Sequence, residues 1–181
     1  MDAYSLSVAL IELFASQNSQ LASCGLATGF FYRRGDALYL ITNWHVVTGV
    51  DPTTMMPVEE GPSPDVLVFH YKQTVDTTGK PIPAPAPAMA NFPKQVNLYQ
   101  AGAPTWFEHS ARQNVDVVAV KLSQSDLGEF ANVPVNEVDQ SPELQAAAGM
   151  DCFVLGYPGM YSTTSPFGTA ATRWTWISGS K

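Results

Sequence analysis

The sequence predicts an all-β protein, a barrel or a sandwich, on three observations. Short runs rich in aromatic and β-branched residues recur along the chain, turn residues separate them closely, and no long amphipathic helix or internal repeat intervenes. The first run, Ser7 to Phe14 (SVALIELF), is short and mostly apolar and fits either a strand or a helical turn. Gly25 to Tyr32 and Ala37 to Thr42 flank Arg33-Arg34-Gly35-Asp36, so a Gly/Asp turn joins two strand-like runs and predicts a hairpin. Val66 to Tyr71 alternates, with Val66, Val68 and His70 on one face and Leu67, Phe69 and Tyr71 on the other. Val115 to Leu122, Asp151 to Gly156 and Arg173 to Ile177 predict three further strands. Between them, Lys80 to Pro93 alternates proline with alanine. Proline fixes φ and donates no hydrogen bond, which predicts an exposed, mobile or poorly ordered excursion over residues 73–95, a spacer in preference to a proline-motif ligand.

Composition narrows the function classes. The chain has 181 residues, 45% hydrophobic and 14% charged, enough apolar material for one compact domain or two small ones and too much for wholesale disorder. Nine Lys and Arg against sixteen Asp and Glu give a net charge of -7. Nucleic-acid binders and anionic-membrane binders draw affinity from dense positive charge, so neither partner is expected. No stretch approaches the ~18 apolar residues of a membrane-spanning helix. Met1-Asp2-Ala3-Tyr4 carries an acid where a secretory signal carries Lys or Arg, which predicts a soluble, cytoplasmic protein. Cys24 and Cys152 are too few for a disulfide scaffold and too far apart for a zinc motif. They are expected as two small buried thiols of a reducing compartment, not bonded to each other. No metal, nucleotide or organic cofactor motif is present, so no cofactor is expected.

Three histidines, His45, His70 and His109, are the candidates for acid–base chemistry. His70 lies inside an alternating strand and reads as structural. His45 directly follows the apolar run Tyr39-Leu-Ile-Thr-Asn-Trp44, where a rigid scaffold hands over to a loop, as a general base requires. Asp116, embedded in Asn114-Val-Asp-Val-Val-Ala-Val120, would be costly to bury without a donor. Either it pairs with an imidazole, fixing its tautomer, or it caps a strand end.

Ala27-Thr-Gly-Phe-Phe-Tyr32, Tyr39-Leu-Ile-Thr-Asn-Trp-His-Val-Val47, Trp106-Phe-Glu-His109, Val115-Asp-Val-Val-Ala-Val120 and Val154-Leu-Gly-Tyr-Pro-Gly159 occur in that order. Together they resemble bacterial trypsin-like serine peptidases of the chymotrypsin clan. The resemblance implies a chymotrypsin-like pair of antiparallel β-barrels. The first would be complete over residues 1–140, and the second only begun over 141–181. It also implies His45 as general base, Asp116 as its orienting acid, a packing role for Trp106 and His109, and peptide-bond hydrolysis of a protein or peptide substrate.

One part of the pattern is absent. The family order is His, Asp, then a Ser within Gly-x-Ser-Gly, whose glycine lets backbone amides face the oxyanion. None of Ser123, Ser125, Ser141, Ser162, Ser165, Ser178 or Ser180 has glycine two places before it. Gly61-Pro-Ser63 precedes Asp116, and Cys152 follows Met150-Asp151. Ser178, in Trp176-Ile-Ser-Gly179-Ser180, follows Gly156-Tyr-Pro158 too closely. The expectation is therefore a portion of a peptidase that is inactive alone. Its missing segment, or a partner protein, would then cover what the second barrel covers. The alternative is a non-catalytic, protease-like binding or regulatory module.

Overall fold

The computed structural model describes residues 3–58, 61–111, 114–123, 125 and 127–138, with the backbone of 152–154 and 172–174. Its centre is a seven-stranded antiparallel sheet in the order β5-β4-β1-β2-β3-β9-β8. These strands are β1 (Val8–Gln17), β2 (Gln20–Arg34), β3 (Ala37–Thr42), β4 (Val66–Val75), β5 (Ala88–Asn97), β8 (Trp106–Glu108) and β9 (Val118–Leu122). Two two-residue strands, β6 (Tyr99–Gln100) and β7 (Ala103–Pro104), pair with each other between β5 and β8.

Period-two alternation decides which face is buried. Ala9, Ile11, Leu13 and Ala15 of β1 point inward, as do Leu38 and Leu40 of β3 and Val118, Val120 and Leu122 of β9. The open alternative for Ser7–Phe14 resolves to a strand, since β1 pairs with β2 on one side and β4 on the other. The predicted hairpin is β2–β3, with Arg34 opposite Ala37 and Gly35 at φ 57 in the turn. In β4, Leu67, Phe69 and Tyr71 form the buried face, while His70 faces outward and pairs through Nε2 with the Glu12 carboxylate on β1. Its ring thus ties β4 to the neighbouring β1.

Gly29 shows what this packing demands. A Cβ there would meet the Ile41 carbonyl oxygen, Ile11 Cδ1 and Leu40 Cδ1 at 2.9 Å each. The glycine of the Thr28-Gly-Phe-Phe run thus permits a close approach between strands. Gly29→Ala is expected to cost about 1–3 kcal/mol through overpacking. A chemical-denaturation midpoint unchanged from wild type would overturn that assignment.

Three boundaries and one architecture are corrected. The expected complete first barrel is an open sheet, because β5 and β8 are both edges. The chain between them spends its backbone bonds on the β6–β7 hairpin, and Thr105 N–H donates to Leu98 O (3.0 Å) just before β8. The excursion expected over 73–95 is narrower, since β4 and β5 pair from Val66–Asn97 to Val75–Ala88 and leave residues 76–87 as the loop. Pro93 is accommodated because β5 is an edge strand, where a missing donor costs little. The loop is exposed but tied down, as Ile82 N–H donates to Thr74 O and the Asp76 carboxylate accepts from Thr78 and Lys80. Those bonds, the Thr78 hydroxyl foremost, hold the Asp76 carboxyl below its ordinary value of 3.8. Finally, β9 begins at Val118, so Asp116 precedes the strand rather than lying within it.

A 3-10 turn, Val135–Glu137, closes the described part against β2. Arg33 N–H donates to Asn136 Oδ1 (3.0 Å), Asn136 Nδ2 returns a bond to Arg33 O (2.8 Å), and Arg33 pairs with Glu137 (2.7 Å). The second barrel expected over 141–181 lies outside the described residues. The exceptions are β10 (Cys152–Val154) and β11 (Thr172–Trp174), paired antiparallel where two strands were predicted. Among the described residues no helix is long and apolar enough to cross a membrane.

Candidate active site

Strand β3 ends at Thr42, whose hydroxyl donates to Thr28 O (3.0 Å). The chain then turns into one short helix, α1 (Trp44–Thr48), stopped by Gly49 in the left-handed region at φ 69. Trp44, Val46 and Val47 are buried, which anchors the helix and leaves the intervening His45 side chain partly exposed (37%). Trp44 Nε1 donates to Glu108 Oε2 (3.0 Å), locking α1 to β8.

Asp116 meets this helix across 71 positions of sequence, with both carboxylate oxygens engaged. Oδ1 accepts the backbone N–H of His45 (2.9 Å), and Oδ2 bonds His45 Nδ1 (2.6 Å). Asn43 Nδ2 donates to Asp116 O (3.0 Å) and to Oδ2 (3.1 Å). The acid therefore pairs with the ring and, rather than capping a strand end as the alternative had it, accepts a backbone N–H at the start of α1. An ionised carboxylate only accepts, so the neutral ring in this bond carries its proton on Nδ1 and presents Nε2 as a base. That is the arrangement in which an imidazole can take a proton from a hydroxyl and hold the resulting charge against a fixed anion.

Asn43 is the residue that sequence reasoning passed over. It occupies the N-cap position of α1 but makes no side-chain cap, spending its amide on Asp116 instead. Its signal was its place between the strand end and His45. Trp106 is buried against Tyr99 (ring centroids 5.2 Å apart), in keeping with a packing role. His109 is not. It is exposed, and its Nδ1 accepts the Ala111 N–H in a local turn, because the chain leaves β8 at Glu108 for the surface.

A cleft of about 580 Å³ opens beside His45, between β2 and the loop of residues 49–64. Cys24, expected as a buried thiol, lies half-buried in its wall with Sγ near the carbonyl oxygens of Pro62 (3.5 Å) and Ala22 (3.7 Å), while the side chain of Cys152 lies outside the described residues. The Asp51 carboxyl is held below the ordinary 3.8 by the backbone N–H groups of Thr54 and Thr53. Ser23 and Ser63 line the cleft, yet among the described residues no serine hydroxyl is hydrogen-bonded to His45. Ser123 and Ser125 bond each other on the surface after β9, and Ser178 lies outside the described residues. Among the described residues no cluster of three His, Cys, Asp or Glu could hold a metal ion. Neither protein-family models, nor curated proteins, nor solved structures match this chain.

Proposed function

We propose that His45 and Asp116 are the general base and orienting acid of a trypsin-like serine endopeptidase, acting on a nucleophile contributed from outside the described residues. The single observation behind this reading is the 2.6 Å bond from His45 Nδ1 to Asp116 Oδ2, with the second oxygen held by the His45 N–H. Two bonds to one residue fix both ring orientation and tautomer, which is the task of the acid in a Ser/His/Asp mechanism. The hydroxyl proton would pass to Nε2 as the oxygen attacks the peptide carbonyl, and return to the leaving amine.

The second reading, a protease-like binding module, draws on one observation: no serine after Asp116 stands two places beyond a glycine. Both readings predict that the purified 181-residue chain hydrolyses a broad fluorogenic peptide mixture no faster than its His45→Ala variant. The hydrogen bond that the peptidase reading rests on is tested at the ring. The peptidase reading expects a far-downfield Nδ1 proton resonance that disappears in both His45→Ala and Asp116→Asn. Absence of that resonance from the wild-type chain removes the base role. Turnover that depends on His45 would instead show that a serine of this chain is the nucleophile, with Ser178→Ala the next variant.

A further inference from the structure

Asp116 stands in a stretch without a partner strand. Residues 114–117 belong to no ladder, and β9 begins only at Val118. Among the described residues every hydrogen bond of Asp116 runs to Asn43 or to His45. A carboxylate in such a segment turns about its side-chain torsions unless those bonds stop it, and ordering the torsions costs entropy.

The two residues hold it differently. The His45 N–H fixes Oδ1 (2.9 Å) and the ring takes Oδ2 (2.6 Å), so these bonds tie the acid to the very group it must orient. Asn43 supplies the independent anchor. Its Nδ2 donates to the Asp116 carbonyl oxygen (3.0 Å) and to Oδ2 (3.1 Å), so one amide joins the main chain and the carboxylate of the same residue. A primary amide has two N–H donors, one for each of these oxygens, and bridging them fixes the carboxylate against its own backbone. The Asn43 donor also takes one in-plane lone pair of Oδ2 and leaves the other for Nδ1. Asn43 is available for this because it has no other task. It stands at the N-cap of α1, with φ -77 and ψ 150, yet its side chain caps nothing. Asp116 Oδ1 already takes the His45 N–H that a capping side chain would accept.

We infer that Asn43 is a positioning residue: by clamping the Asp116 carboxylate to its own backbone, it holds the His45 ring in the Nδ1–H tautomer. The catalytic consequence rests on the peptidase reading, in which that tautomer is the one able to take a hydroxyl proton at Nε2. Two effects of losing Asn43 oppose each other. A lone pair of Oδ2 becomes free for the ring, but the bond to Nδ1, at 2.6 Å, is already short for an N–H donor and has little to gain. The carboxylate meanwhile regains its rotation, and water competes for the ring. The second effect wins.

The test compares the wild-type 181-residue chain with Asn43→Ala and Asn43→Asp, each ¹⁵N-labelled in the histidine rings, with His45→Ala to assign the signals. Asn43 is exposed, so both variants are expected to fold. Asn43→Asp keeps the shape and the helix-capping capacity of asparagine, loses its donors, and sets a second carboxylate against Asp116. The ring ¹⁵N shifts give the ratio of Nδ1–H to Nε2–H forms in the neutral ring. Nδ1–H should dominate in the wild type, and both variants should lower the ratio about tenfold, the effect of one hydrogen bond to a charged group. A wild-type ring that favours Nε2–H overturns the inference, as does a ratio unmoved in Asn43→Ala. A ratio that falls in Asn43→Ala and is normal in Asn43→Asp also overturns it, since asparagine would then serve only as a helix cap. The expected ratios without the downfield His45 resonance in the wild type remove the peptidase reading and leave this inference standing. That resonance with unmoved ratios does the reverse.

Discussion

On the proposed peptidase reading, Asp116→Asn is expected to lower kcat by about four orders of magnitude once a Gly-x-Ser-Gly nucleophile is supplied. The substitution is nearly isosteric, so the Asp116 side chain's grip on the His45 N–H survives through the remaining amide oxygen. What changes is the other atom. An NH2 group facing Nδ1 donates where the carboxylate accepted, so the ring must carry its proton on Nε2 and can no longer act as a base toward a hydroxyl. The negative charge that stabilises the imidazolium is lost as well. His45→Ala should cost a similar factor, and the double variant little more than either single one, because base and orienter act as a unit. A variant within about tenfold of wild type would show that Asp116 only caps α1, since that effect amounts to no more than ~1.4 kcal/mol.

Phe31→Ala is expected to destabilise the fold by about 3–5 kcal/mol. Phe31 is fully buried and joins the two halves of the core: its ring meets Phe69 of β4 edge-on at 6.1 Å and Phe130 at 5.1 Å, with Tyr71 stacked on Phe130 in turn. Its neighbour Phe30 faces outward and is 38% exposed, so Phe30→Ala should cost only about 1 kcal/mol. Domains of this size hold about 5–15 kcal/mol in all, so the two should separate clearly in urea midpoints. Equal midpoints would mean that the faces of β2 are misassigned.

Strand content was legible because alternation is a local property. Ile11, Leu40, Phe69 and Val120 announce their buried face through their own neighbours, and Gly35-Asp36 announces its turn. The strand end before His45 was legible for a similar reason, but the residue expected on a loop sits in the helix α1, because the buried Trp44, Val46 and Val47 pack one turn of helix against the sheet. The Pro-Ala run misled at its ends, since whether a proline is tolerated depends on which strand lies at the edge. Pro93 sits opposite His70 on an edge strand that the sequence alone cannot identify.

By itself, the sequence determined that this chain is β-rich, where most of its strands run, and that His45 follows closely on a strand end. The tertiary structure decided the rest. It left the sheet open at β5 and β8, turned both carboxylate oxygens of Asp116 onto His45, 71 positions away, recruited Asn43 to hold Oδ2 and the Asp116 backbone carbonyl, and opened a cleft beside His45. The reason is the range of the forces involved. Side-chain periodicity and turn chemistry act within a few residues, whereas a carboxylate finds its donors, and a strand its partners or none, only after distant segments have packed into one register.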